Sequence, residues 1–383
     1  MEKQEIFDVA VIGLGAVGSS TLYHLSQSGY RILGLDRFHP PHTMGSNHGE
    51  SRITRLAVGE GEDYVALAKR SHELWRQLEA KTGVRIFSQT GGILIDSGEK
   101  PWAKHGSEGF WDRTVRFAQN HHISHSLPTL DEVNSVFPAF QIPDSGRVYW
   151  EKEAGYLRPE LAIATHLRLA QENGARVEFD SPVLDIKKET GLFCLQTSKR
   201  TCRARRILIS SGGWIKDFLP EKSKTRFKIC RQVLHWIEID SEFPGWENSP
   251  VWMWGFGPKA EDFIYGFPSL DGQSVKMATE SFVDIDHPDL LRREVSQEEQ
   301  KEFWEQKVEG RISGFRPNFI RSEVCFYTVT EDARFVIEPW KGDLSALLVS
   351  ACSGHGFKHS AALGESLAHR LLRDLSKRNA SDL

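Results

Sequence analysis

FDVAVIGLGAVGSSTLYHLSQSGYRILGLD, Phe7 to Asp36, is the stretch that decides the fold. Phe7-Asp8-Val9-Ala10-Val11-Ile12 is short, apolar and β-branched, and it breaks at Gly13, as a buried strand does on entering a tight turn. Gly13, Gly15 and Gly18 spell G-x-G-x-x-G. From Val17 to Ser28 the apolar residues fall at helical spacing, and Gly29 supplies a left-handed cap. A second apolar run, Ile32 to Leu35, ends on Asp36. This order suits a dinucleotide: glycines let the backbone approach a pyrophosphate, the helix start offers N–H groups and a positive dipole end, and the carboxylate accepts from ribose hydroxyls. Glycines that served packing alone would account for the turn but not for a carboxylate in register behind it. The unit by itself does not separate FAD from NAD.

Working outward, 383 residues are too many for one core, and two domains are expected. A hydrophobic content of 39% with 11 Trp fits a globular enzyme with a sizeable interior. A net charge of −4 gives no basic field for nucleic acid or an anionic membrane, so neither is expected as a partner. No apolar run approaches the ~18 residues that cross a bilayer, and MEKQEIFD is charged and runs straight into the first strand, unlike a signal peptide. Five cysteines, an odd number without C-x-x-C spacing, argue against a disulfide framework or a metal site, and a reducing cytoplasm is the simplest location. The terminal NASDL is not S-K-L, though its form leaves a variant peroxisomal signal open.

After Asp36 a Gly- and Pro-rich loop runs through Arg55, placed to lie over whatever the nucleotide carries. Tyr64 to about Gly83 is an amphipathic helix. Short strands at 85–87 and 92–95, a helix near 111–120 and a loop through Pro138 and Pro143 read as an inserted piece. A helix over 159–174 and strands at 176–179, 182–187, 193–197 and 206–210 resume a Rossmann-type sheet with a small meander. Aromatic β signals then dominate 227–321, with a charged helix over 298–308; a strand over 346–351 breaks into SGHGFK before a helix from Ser360 to Leu372. The expected class is α/β, α+β overall: a discontinuous Rossmann-type nucleotide domain (1–83, 150–226 and 322–383) and a mainly antiparallel substrate domain (84–149 and 227–321).

Four stretches in order, GSNHGESRITR, FIYGFPSLDGQSVKM, SEVCFYTVTEDARFVI and SGHGFK, resemble the monomeric sarcosine oxidase and N-methyltryptophan oxidase family, FAD-dependent amine oxidases of the D-amino-acid-oxidase type. The resemblance covers nearly the whole chain. It implies FAD as cofactor, a small amino-acid substrate oxidised at a secondary amine by hydride transfer to flavin N5, hydrolysis of the imine, reoxidation by dioxygen to hydrogen peroxide, and a monomer. Close alternatives are an amino-acid dehydrogenase with another acceptor and an oxidase of cyclic or glycated amino acids. Peroxide production separates oxidase from dehydrogenase. A nicotinamide enzyme, which the glycine fingerprint alone allows, would not be yellow.

Residue by residue, the resemblance makes Cys325 the flavin tether through a thioether, although a buried structural cysteine would look the same. Lys276 becomes the cation that activates oxygen beside the flavin. Arg52 stacks beside the ring, and Arg55 with Lys358 takes the substrate carboxylate, a planar fork with a point charge. Tyr265 and Tyr327 lie near the substrate. Cofactor contacts extend over Gly13, Gly15, Ala16, Val17, Gly18, Asp36, Arg37, Ser46, His48, Val183, Gly354, Gly356, Phe357 and Lys358. The Gly354-His355-Gly356 turn is expected to aim a helix start at the flavin pyrimidine. One departure stands out: four residues after Lys276, where the family's enzymes carry histidine, this chain has Glu280. A carboxylate beside the bound amine favours a cationic group there and implies a substrate other than sarcosine.

Overall fold

The computed structural model describes residues 5–103, 109–243 and 245–379. The strand Ile6–Ile12 lies at the centre of a sheet, parallel to Ile32–Leu35 on one side and Thr201–Ile209 on the other; Arg176–Glu178 and Asp343–Ser350 extend the parallel set, and Val336–Trp340 closes one edge antiparallel. The hairpin Val183–Glu189 and Leu192–Thr197 pairs onto Thr201–Ile209 as the expected meander.

Alternation sorts the central strands between two cores. Ala10, Ile12, Ile207 and Ile209 face the meander's Phe193 and Leu195. Val9, Val11 and Leu208 face three helices, Ala16–Ser26, Pro159–Glu172 and Ser360–Asn379, through Leu22, Leu25, Ile163, Leu167, Leu367 and Leu371. The first and last helices cross closely: a Cβ on Gly364 would lie 2.2 Å from Ser20 Oγ.

The second sheet runs Asp284–Ile285, Lys228–Ile239, Ser274–Ala278, Phe263–Gly266, Val251–Gly255, Gly92–Asp96, Arg147–Glu151; Phe315–Val329 also pairs with Lys228–Ile239. It is antiparallel except where Val251–Gly255 runs parallel to Gly92–Asp96. Ile95, Ile237, Trp252, Trp254, Val275 and Met277 fill the core on one face. The alternate residues Met253, Tyr265, Lys276, Ala278, Cys325 and Tyr327 therefore point to the other, the face turned toward the glycine turn. A third, short sheet, Arg52–Thr54 with Gly155–Leu157 and Phe87–Ser88, fastens the arginine-bearing loop to the body.

The structure differs from expectation at five points. The domain boundary at 322 falls inside the continuous strand Phe315–Val329, so Cys325 and Tyr327 belong to the second sheet. The boundary at 150 likewise cuts Arg147–Glu151. Neither stretch contains a turn signal where the cut was drawn. The loop after Asp36 is not wholly irregular, because Arg52–Thr54 is a strand. The charged helix spans Gln297–Phe303 and widens into a π turn over Trp304–Val308. A helix over Leu130–Val136, with the Thr129/Glu132 capping box, lies just before the prolines of the expected loop.

Candidate active site

A cavity of about 550 Å³ runs from the glycine turn to the second sheet. At its nucleotide end Gly13 has φ +88°, and a Cβ on Gly18 would sit 1.8 Å from the Gly13 carbonyl oxygen. Only glycine brings helix and turn that close. The helix Ala16–Ser26 opens at Gly15 with no side-chain cap, leaving its first N–H groups for a ligand at the cavity wall, which Gly13, Gly15, Ala16 and Val17 form. Gly18 itself does not line the cavity. Asp36 is 7% exposed; its two oxygens accept the N–H groups of Leu14 (2.7 Å) and Phe38 (2.8 Å), and burial pushes its carboxyl up from 3.8 to about 6. An uncapped helix start, a turn with no room for side chains and a buried carboxylate at the end of the second strand fit a dinucleotide. Arg37 and Val183 line the same end, and Arg37 pairs with Asp289 at 2.8 Å.

Deeper in, Arg52 lines the cavity with its guanidinium donating to the carbonyls of Ser46 (2.7 Å), His48 (2.6 Å) and Ser51 (2.7 Å), which fixes the cation without spending a carboxylate on it. Lys276 stands behind that loop. Its ammonium donates to Gly49 and Ser51, both at 2.7 Å, and lies 4.0 Å from the Phe267 ring centroid; burial pulls its pKa well below the usual lysine value. Ser46 lines the cavity and donates to the Phe326 carbonyl at 2.6 Å, whereas His48 is buried against Glu323 at 3.2 Å and does not line it.

Cys325 is 1% exposed, packed among Leu234, Trp236, Ala278 and Tyr265; burial raises its thiol pKa. It and Lys276 share the cavity-facing side of the sheet but do not line the cavity. Tyr265, Glu280 and Tyr327 do line it. Burial raises both phenols above the ordinary tyrosine value, so they stay neutral. Glu280 is buried close enough to the glycine turn that a Cβ on Gly354 would lie 3.1 Å from its Oε1. Gly354, Gly356 and Phe357 form the adjoining wall, followed by a 3-10 turn over Phe357–His359 that leads into the last helix.

Arg55 and Lys358, 5% and 6% exposed, meet in this cavity as expected. Sequence reading missed what joins them. Glu60 lines the cavity too, with Oε2 2.7 Å from Arg55 Nη2 and Oε1 3.6 Å from Lys358 Nζ. Glu151, also unassigned before, is buried and accepts from Leu56 N–H (2.6 Å), Ala57 N–H (3.1 Å) and the Tyr149 hydroxyl (2.8 Å), which holds the segment after Arg55. Gly59-Glu60-Gly61 was the one available signal for the first, a lone acid between glycines just past the arginines. Among the described residues no group of three or more His, Cys, Asp or Glu is arranged to hold a metal ion, and no helix is long and apolar enough to cross a membrane.

A glycine turn, a buried acid and a cation-lined cavity roofed by an antiparallel sheet define a Rossmann-type dinucleotide-binding protein with a reaction chamber beside the nucleotide end. The chain belongs to the family described as DAO, FAD dependent oxidoreductase, whose signature matches residues 8–370. It is 32% identical over 375 residues to monomeric sarcosine oxidase of Arthrobacter sp. (strain TE1826), covering 96% of this chain and 93% of that one. It is 32% identical over 372 residues to N-methyl-L-tryptophan oxidase of Yersinia pestis (strain Pestoides F), covering 94% of each. Among solved structures, the open form of NikD, an unusual amino acid oxidase essential for nikkomycin biosynthesis, superposes with a TM-score of 0.83 at 18% identity over 97% of this chain and 95% of that one.

Proposed function

We propose that this FAD-dependent oxidoreductase is an oxidase of N-substituted amino acids, with dioxygen as acceptor and hydrogen peroxide as product. The observation that carries the reading is a cavity in which two buried cations, Arg55 and Lys358, converge and a buried carboxylate, Glu280, lines the wall beside Tyr265 and Tyr327. That charge pattern is complementary to a zwitterion. The substrate carboxylate sits on the guanidinium fork and the ammonium, and the secondary amine lies toward Glu280.

Bound FAD supplies the two-electron acceptor. Gly13, Gly15 and the start of the first helix hold its pyrophosphate, Asp36 its ribose, and Arg37, Ser46 and Val183 flank it. Arg52, locked by three carbonyls, presents fixed positive charge to the ring without reorganising. Lys276 offers an ammonium in a low-dielectric pocket where negative charge on oxygen would be strongly stabilised. Tyr265 and Tyr327, held neutral, orient the substrate by hydrogen bonding and exclude water, and do not act as bases. Cys325 tethers the flavin: it shares the cavity-facing side of its strand with Tyr327, and the charges of Arg52 and Lys276 act against the burial that keeps its thiol protonated. The protein acts as a cytoplasmic monomer, with a nucleotide domain on the first sheet and a substrate domain on the second.

The relatives named for sarcosine and N-methyltryptophan oxidation support the reaction class, while Glu280 points to a different amine substituent. Aerobic turnover of the yellow protein with sarcosine, N-methyl-L-tryptophan, L-proline, L-pipecolate and glycated amino acids tests it, with peroxide read directly. The expected result is one peroxide per amine oxidised and a best substrate other than sarcosine. Flavin reduction without oxygen uptake would replace the oxidase by a dehydrogenase, and Arg55→Ala should raise KM for the best substrate far more than it lowers kcat.

A further inference from the structure

We infer that Glu60 is an internal occupant of the substrate-carboxylate subsite, seated on Arg55 and Lys358 until a substrate displaces it; this rests on the reading of those two cations given above. Two buried cations without a counter-ion would be costly, so the chain provides one. The carboxylate it provides is an imperfect ligand. Glu60 takes Arg55 Nη2 at 2.7 Å, but its other oxygen stands 3.6 Å from Lys358 Nζ, beyond hydrogen-bond length. Arg55 Nη1 is spoken for by the Ala57 carbonyl, while its Nε is buried and meets no acceptor among the described residues.

An unmatched N–H in the interior costs free energy that a better-placed carboxylate would recover. A free carboxylate spanning Nε and Nη2 forms the two parallel bonds a guanidinium favours, which Glu60 does not. Glu60 is also the only residue with a side chain in Gly59-Glu60-Gly61, so the carboxylate is carried on a stretch of low bulk. It thereby holds the cations ready in the resting enzyme and sets the affinity for incoming acids by competing with them.

The test measures ligand binding to the flavin-loaded enzyme, followed by perturbation of the flavin absorption band, with propanoate as probe and propanamide as the uncharged control. Glu60→Gln removes the competing charge and should bind propanoate about tenfold more tightly while leaving propanamide unchanged. Glu60→Asp, which keeps the charge but draws it back by one methylene, should fall between and covers the case in which the glutamine variant does not fold. Equal or weaker propanoate binding in both variants would overturn the role given to Glu60 while leaving the anion subsite standing. If propanoate binds neither the native enzyme nor the variants, the assignment of Arg55 and Lys358 fails, and this one with it.

Discussion

Replacing Asp36 by asparagine should change the sign of a stability difference across a narrow pH range. In the flavin-free protein, burial pushes this carboxyl from an ordinary 3.8 to about 6. A carboxyl harder to ionise folded than unfolded contributes stability that is complete below the unfolded value and is lost as pH rises through the folded one; the whole gap corresponds to about 3 kcal/mol, of which about 1.4 kcal/mol falls between pH 5 and pH 8. The amide does not titrate there. Its NH2 group cannot accept where either oxygen of the carboxyl, protonated or not, can, so either the Leu14 or the Phe38 N–H loses its partner at any pH, at about 1–3 kcal/mol. Asp36→Asn should therefore be the less stable protein near pH 5 and reach parity or better near pH 8. Urea unfolding followed by tryptophan fluorescence, on protein from riboflavin-limited cells, measures this. FAD adds a second readout: ribose hydroxyls donate to an ionised acceptor, so FAD affinity should rise through pH 6 in the native chain and stay flat in the variant. A stability difference that holds constant from pH 5 to pH 8 would refute the reasoning.

Lys276→Met should slow oxygen-dependent reoxidation far more than reduction by substrate in stopped-flow traces, with equal slowing counting against an oxygen role; the loss of two hydrogen bonds to the Gly49 and Ser51 carbonyls should also lower the melting temperature. Cys325→Ser should retain yellow colour in the native protein but lose flavin fluorescence from the polypeptide band on a denaturing gel. Glu280→Gln should raise KM for the best amine about tenfold or more while sparing the binding of a simple carboxylate such as propanoate, and a uniform loss of both would show that it serves folding instead. Gly18→Ala should cost at least about 1–3 kcal/mol and deplete bound FAD, because its methyl would enter the Gly13 carbonyl.

The nucleotide half was legible because its signals are local. Val9 and Val11 against Ala10 and Ile12 obey a period of two, the following helix a period near four, and Gly13 and Asp36 punctuate them. The second sheet was harder to read. Val251–Gly255 is apolar throughout because both its faces are covered, Met253 by the cavity and Trp252 and Trp254 by the core, so alternation leaves no mark. Phe315–Val329 hides for the opposite reason: its first half is largely exposed and carries Pro317 and Asn318, while its second half is mostly buried. The resemblance named Arg55 and Lys358, but not the acid that joins them, since Glu60 acquires its partners only when distant segments meet. Nor could sequence show that the segment Gly49–Arg52 would stand between Lys276 and the cavity.

The close crossing of the first and last helices has a consequence for how the molecule is made. On the ribosome the strand Ile6–Ile12 emerges early, yet its neighbour's partner Asp343–Ser350 and Ser360–Asn379, one of the three helices that cover Val9 and Val11, are among the last pieces synthesised. Until then an oily flank of the sheet stays bare and the chamber has no back wall at Gly354–Lys358. Colour thus arrives as a stamp of completion, and a nascent chain halted short of Ser360 should be colourless and a ready client for chaperones.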